Sequence, residues 1–274
     1  MRTRINPRLL IGLVMALIAV IGYYSKMQVN PITGEKQHIS ITPEQEVALG
    51  LQSAPQMAAE FGGLYNDPKV QQMVKEVGQR IVQQTEAGKS DYRFDFHVLA
   101  DNQTINAFAL PGGQIFITMA LLSKMTNQDQ LAGVLGHEIG HVVGRHSAEH
   151  MAQGELMQGL VQATTIATYD PSLPGSQQSA AIAQYVGQIV NMKFGREDEL
   201  ESDKFGVKYM MQCGYRPEAM IEVMEILKQA SGGRSQSEFM STHPSPENRV
   251  EHIKQTIEEF RANKGNRDRV NKRK

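Results

Sequence analysis

The greatest chemical potential in this 274-residue chain is concentrated in five consecutive positions, His137-Glu138-Ile139-Gly140-His141. On an α-helix, residues four apart stand about 40° from one another, so both imidazoles project from one face. Two neutral nitrogen ligands there can share one Zn2+ and keep it Lewis-acidic, and Glu138, about 100° round, is placed to take a proton from water at that metal. Such a run arises by chance on a solvated helix in about one chain in a hundred of this length. Its flanks argue for a buried helix instead: Leu131, Val134, Leu135, Ile139, Val142 and Val143 are apolar, and Gly136 and Gly140 are small.

A third ligand is required, and two patterns compete for it. One places glycine three residues after the second histidine and another histidine three later. Gly144 fits, but position 147 is Ser, and His146 is one residue out. The other is a carboxylate from a later helix. Arg196-Glu197-Asp198-Glu199-Leu200-Glu201-Ser202-Asp203 puts Glu199 and Asp203 on one helical face. A Glu199 ligand leaves Asp203 one turn on, able to accept the far N–H of His137 or His141. Glu197 and Glu201 compete with Glu199 on spacing alone, and the bland alternative is a solvated acidic run.

Taken together, HEIGH in an apolar helix, REDELESDKFG, THPSPENR, INAFALPGGQIFIT and NPITGEKQHISITPEQEVALG resemble the M48 family of gluzincin peptidases over roughly residues 30–255. The resemblance is nearest to the exported bacterial members and to the mitochondrial inner-membrane member. It implies that Glu199 is the third ligand, with Asp203 supporting a histidine, and that one zinc is bound per chain. It also implies that 105–110 is an edge strand where Asn106, Ala107, Phe108 and Ala109 bind a substrate chain through main-chain hydrogen bonds. His243 matches a family histidine near the zinc, either steadying the oxyanion or filling the open metal position in a latent state, and Arg249 matches a family arginine that steadies charge. His38, His97, His146, His150 and His252 are left as structural or exposed. The tetratricopeptide repeats and multiple spans of other members have no counterpart in these residues, which makes prenyl-protein processing unlike this chain.

These side chains must be positioned by an α+β domain, mainly helical and zincin-like, with a small antiparallel meander sheet beside the HExxH helix. Thr42-Pro43 and Asp67-Pro68 start helices to about Phe61 and Gln84. Phe94, Phe96 and Val98 alternate as in a half-buried strand, and 105–110 and 114–118 give two more around Pro111-Gly112-Gly113. Helices are expected over about 127–150, 155–168, 178–211, 217–230 and 246–260. Residues 151–195 read as a packed helical hairpin, or as a lid hinged at Gly154, Gly159 and Gly175. Four zones result: a signal-anchor or signal peptide (1–24), a linker (25–41), the peptidase domain (42–260) and a basic, disordered tail (261–274).

Charge and cysteine content narrow the function classes. Between the basic ends, the body carries 18 basic and 28 acidic residues, a poor match for a phosphate backbone, so no nucleic-acid partner is expected. The single cysteine, Cys213, rules out an internal disulfide framework. Arg2, Arg4 and Arg8 precede an uncharged run from Leu9 to Tyr24, which would span about 24 Å as a helix. With Tyr23 and Tyr24 at the interface and the basic end cytoplasmic, it reads as an uncleaved anchor, a cleaved signal peptide being the alternative. Either way the domain is exported, to the periplasmic or outer side of a bacterial inner membrane. The resulting reading is a zinc endopeptidase acting on extracytoplasmic or membrane-associated polypeptides in quality control. A chaperone-like module using the same groove is the alternative, and Glu138 argues against it, since a binder needs no base. No feature encodes an oligomeric state.

Overall fold

A computed structural model describes residues 7–168, 194–231, 239, 243 and 248–271. The expected helix over 178–193 and the Gly175 hinge lie outside these residues. The described residues separate into two compact units, one of residues 7–42 and 147–168, the other of 43–146, 194–231, 239, 243 and 248–271.

The larger unit begins with α2 (Pro43–Glu60) and α3 (Pro68–Gln84), followed by a 3-10 turn at Glu86–Lys89. The Asp67 side chain accepts from the backbone N–H of Lys69 and Val70, and Pro68 occupies the first turn, where no intrahelical donor is needed. Strands β3 (Asp95–Leu99), β4 (Ala107–Ala109) and β5 (Gln114–Thr118) form one sheet. Val74, Val77 and Ile81 of α3 are buried, as are Phe96 and Val98 of β3 and every residue of β5.

The sheet is not the expected all-antiparallel meander. Its order is β3-β5-β4, with β3 parallel to β5 and only β4 antiparallel. Gly112 and Gly113, at φ 77° and 107°, fold β4 back onto β5. The connection from Leu99 to Asn106 carries β4 to the outside, leaving the centre for the uniformly buried β5. Alternation along a strand reports which face is buried and says nothing of which strand lies beside it. The position of β4 at an edge is as expected.

After a helical turn, α4 (Met119–Leu122), come α5 (Gln128–Gly144), α7 (Arg196–Gln212), α8 (Ala219–Ser231) and α9 (Arg249–Asn271). The Asn127 side chain caps α5 by accepting from Gln130 N–H. The expected single helix over 127–150 breaks at Arg145, which adopts φ 59°, ψ 28° and donates its backbone N–H to the carbonyls of His141 and Val142. A non-glycine residue in the left-handed region needs outside support. Arg145 has it: its Nε donates at 2.8 Å to the buried Glu46 of α2. Helix α9 also continues past the expected end near 260, to Asn271, supported by Arg261 pairing with Glu218 and Glu258.

The smaller unit contains α1 (Pro7–Ser25), β1 (Met27–Val29), β2 (Lys36–His38) and α6 (His146–Thr168, whose first residue belongs to the larger unit). The segment read as a linker carries a short antiparallel hairpin, Met27 opposite His38. Asn30 makes its turn, Oδ1 accepting from the N–H of Ile32 and Thr33. Gly154 and Gly159 lie within the continuous α6.

Removing Glu46 strands a buried guanidinium. Glu46→Ala should cost about 3–5 kcal/mol, the usual penalty for a buried charge that loses its partner. Chemical denaturation of the variant against wild type measures this, and a loss below about 1 kcal/mol would show that Arg145 finds water instead.

Candidate metal centre

Small residues allow the metal-bearing helices to touch. A Cβ on Gly140 would lie 2.9 Å from Ser202 Cα, and one on Gly136 3.2 Å from Gly206 Cα. Real side chains do not tolerate the first contact, so α5 and α7 meet backbone to backbone at this level. Next to these contacts, α5 presents His137 and His141 and α7 presents Asp203, with Glu199 about one turn earlier.

His137, His141, Glu199 and His243 each offer one ligand atom, all within 4.8 Å of one another, and all four residues are buried. His137 Nε2 lies 3.0 Å from His141 Nε2. Glu199 oxygens stand 3.5 Å from each of these nitrogens. His243 Nδ1 is 2.9 Å from Glu199 Oε1 and 3.4 Å from His137 Nε2. A tetrahedral zinc with bonds of about 2.0–2.1 Å has ligand-to-ligand edges of roughly 3.4 Å. The spacings fit such an ion. The polar bookkeeping fits too: both Glu138 oxygens and His243 Nε2 are buried without a hydrogen-bond partner. Buried polar atoms are rarely left unmet, and here several of them cluster at one place.

The far nitrogens of the two α5 histidines are held differently. Asp203 Oδ1 lies 2.9 Å from His137 Nδ1. A carboxylate only accepts, so the His137 proton sits on Nδ1 and the Nε2 lone pair faces the cluster. Arg249 clamps Asp203 at 2.7 and 2.8 Å through Nε and Nη2, and its Nη1 stands 3.1 Å from Glu199 Oε2. Expected as a charge stabiliser, Arg249 therefore grips the ligand carboxylate and its neighbour from behind. His141 is served by His146, Nδ1 to Nδ1 at 2.9 Å, and His146 Nε2 donates to Glu201 Oε2 at 2.8 Å. With that proton on Nε2, His146 Nδ1 is an acceptor, so His141 carries its own proton on Nδ1 and likewise turns a lone pair inward.

Sequence reading left His146 among the structural residues and Glu201 among the competitors for the ligand role. The signal that could have found them is spacing across the helix break: once Arg145 turns left-handed, His146 folds back over His141. Glu199 is the member of the acidic run in the cluster; Glu197 is exposed. Of the proposed substrate strand, Asn106 and Ala107 are buried, while Phe108 stacks on Phe116 at 5.1 Å.

Electrostatics suit a metal and a base. Burial drives His141 far towards its neutral, ligating form. Burial would raise Glu199, but the imidazoles facing it, those of His141, His243 and His137, hold it far below the usual carboxylate range. Burial raises Asp203 as well, and Arg249 together with the His137 hydrogen bond brings it down. Glu138 goes the other way: burial lifts it above an ordinary glutamate, only partly offset by His243 and His137. The carboxylate beside the cluster is thus a stronger base than a free one.

A two-histidine helix with glutamate between them, completed by a carboxylate from a second helix, defines a zincin-like centre of the gluzincin type. Residues 68–257 match the model of peptidase family M48, and the chain belongs to that family. It is 28% identical over 226 residues to the beta-barrel assembly-enhancing protease of Escherichia coli, covering 80% of this chain and 45% of that protein. It is 31% identical over 264 residues to the mitochondrial metalloendopeptidase OMA1 of Danio rerio, covering 90% of this chain and 54% of the relative. With the OMA1 of Schizosaccharomyces pombe the figures are 30% over 258 residues, 92% and 74%. The chain spans about half the length of the first two of these relatives.

Metal content separates the acidic residues. Glu199→Ala should lose its metal in mass spectrometry of metals, and Glu197→Ala should retain it. His146→Ala should keep the fold and bind zinc about 10–100-fold more weakly in competition with a chelator, the usual cost of losing a histidine's outer partner. Unchanged affinity would make His146 a packing residue only.

Proposed function

We propose that this protein is a zinc-dependent endopeptidase that hydrolyses extracytoplasmic or membrane-associated polypeptides, tethered by α1 with its catalytic unit outside the cytoplasm. The observation that carries this reading is Glu138, buried, lifted in basicity and without a hydrogen-bond partner beside the four-residue ligand set. His137, His141 and Glu199 would hold the zinc. When bound, zinc supplies Lewis acidity for a scissile carbonyl and for water. Glu138 takes the proton of the attacking water and passes it to the leaving amine. Asp203 and His146 keep the histidine lone pairs inward, and Arg249 holds Asp203 and Glu199 in place. Strand β4, an edge strand among the described residues, is paired on one side with β5, and an extended substrate would approach its other side near Phe108 and Ala109.

His243 fits a resting state. Counted as a ligand, it fills the fourth corner of a tetrahedral set, the position a catalytic site keeps open. Its Nε2 meanwhile lies 3.7 Å from Glu138 Oε1. With zinc bound, the ring would have to leave before a substrate carbonyl could enter, so on this reading the protein is latent until His243 is displaced. The kinship with proteases named for barrel assembly and for mitochondria supports a quality-control role.

Glu138→Gln should retain zinc and fold while losing about 10²–10⁴-fold in casein hydrolysis. Comparable activity in the metal-replete variant would sink the mechanism.

His243→Ala should raise basal casein hydrolysis and self-cleavage by opening the fourth position. A fall of about 10²–10³-fold with substrate binding intact would instead assign the ring to the oxyanion.

A further inference from the structure

Within the smaller unit, α6 runs against the apolar helix α1. A Cβ on Gly12 would stand 2.6 Å from the Ala163 carbonyl oxygen and 2.7 Å from Ala167 Cβ; one on Gly159 would stand 2.8 Å from Ala19 Cβ. Rising residue numbers on one helix meet falling numbers on the other, so the two are antiparallel. Gly159, Ala163 and Ala167 recur every four residues along one face of α6, the small-residue spacing by which helices approach closely inside membranes. Lys26, just beyond α1, pairs with Glu155 of α6 at 3.0 Å, and Ser40 donates to the other oxygen of Glu155 at 3.1 Å.

From these contacts we infer that residues 156–168 of α6 enter the bilayer beside α1 as a second membrane element whose partner is the lipid acyl region. The inference rests on the reading of α1 as an uncleaved anchor. Helix α1 is about 28 Å long, close to the ~30 Å hydrocarbon thickness, and Leu9, Leu10, Leu13, Leu17, Ile18 and Ile21 are each more than half exposed. If α1 spans, the Lys26–Glu155 pair marks the outer boundary. Gly12 then lies roughly 21 Å deeper, fourteen residues at 1.5 Å each. Whatever touches Gly12 at backbone distance is at that depth, so Ala163 and Ala167 are too.

The chemistry of α6 is compatible with that position. No charge occurs from Leu156 to Thr168, after Glu155 at the boundary. These thirteen residues make about 20 Å of helix, enough to reach the depth of Gly12. The hydroxyls of Thr164 and Thr165 donate to the carbonyls of Leu160 and Val161, one turn back, at 2.9 and 2.8 Å, so neither needs water. The exposed amides of Gln158 and Gln162 keep this helix less apolar than α1; contact with α1, not composition, sets its depth.

The test is depth-dependent fluorescence quenching on the full chain in phosphatidylcholine–phosphatidylglycerol vesicles containing lipids brominated at mid-chain. An environment-sensitive probe is attached to cysteine in Val14→Cys on α1, in Gln162→Cys or Thr164→Cys on α6, or in Gln153→Cys above the boundary. The native Cys213 is buried, and the unsubstituted chain reports any labelling of it. Quenching at 14 and at 162 or 164, with none at 153, is expected. Quenching at 14 but at neither α6 position would overturn the inference and leave the anchor standing. Absence of quenching at all positions would defeat the anchor reading and the inference with it. The two α6 positions guard against one substitution disturbing the helix.

Discussion

The metal centre depends on one close contact, the backbone-to-backbone meeting of α5 and α7 at Gly140 and Ser202. Ligands on two helices converge on one ion only if the axes are near enough for short side chains to reach. A methyl group on Gly140 would push α7 away by a few tenths of an ångström or more. Histidine and glutamate donors tolerate little of that, because zinc bond lengths and angles are narrowly set. The glycine of HEIGH is thus a positional element of the site, although it carries no functional group.

Around this contact the protein accepts a costly arrangement of buried polar groups. Helices α5 and α7 bury two histidines and three carboxylates, with His146, His243 and Arg249 buried beside them, a set that desolvation would disfavour without partners. The partners are divided by direction. Asp203 with Arg249 behind it, and His146 with Glu201 behind it, satisfy the outward nitrogens. The inward atoms are left unmet, which gives the cluster its affinity for a cation. The same burial that makes the unpaired atoms expensive raises the basicity of Glu138. Stability is traded for chemistry at a single place, while the sheet and α3 beside it are packed almost entirely with aliphatic and aromatic side chains.

The smaller unit follows a different logic. Its α1–α6 contact uses small residues to join two helices whose outward sides differ, one strongly apolar and one carrying neutral polar groups. The hairpin between Met27 and His38 adds polar ties at one end, where Gln37 donates to Glu149 of α6 at 3.1 Å and the rings of Tyr23 and His38 stack at 4.2 Å.

Much of the centre was legible in the sequence because its signals are local. The four-residue spacing of His137 and His141, and of Glu199 and Asp203, specifies a shared helical face wherever those helices lie. The Asp67-Pro68 start and the alternation of residues 94–98 likewise report secondary structure from neighbours in the chain. The tertiary structure decided what depends on residues far apart. The parallel pairing of β3 with β5 arose because alternation names a face and not a partner. The break at Arg145 required Glu46, 99 residues away, to hold a left-handed arginine, and with the break came the return of His146 onto His141. The roles of Glu201 and Arg249 followed from the same cause, since a carboxylate in an acidic run or an arginine at the start of a helix has no meaning until the side chain it faces is known. The placement of 156–168 against α1 belongs with them, since nothing in its own composition names the helix that it touches.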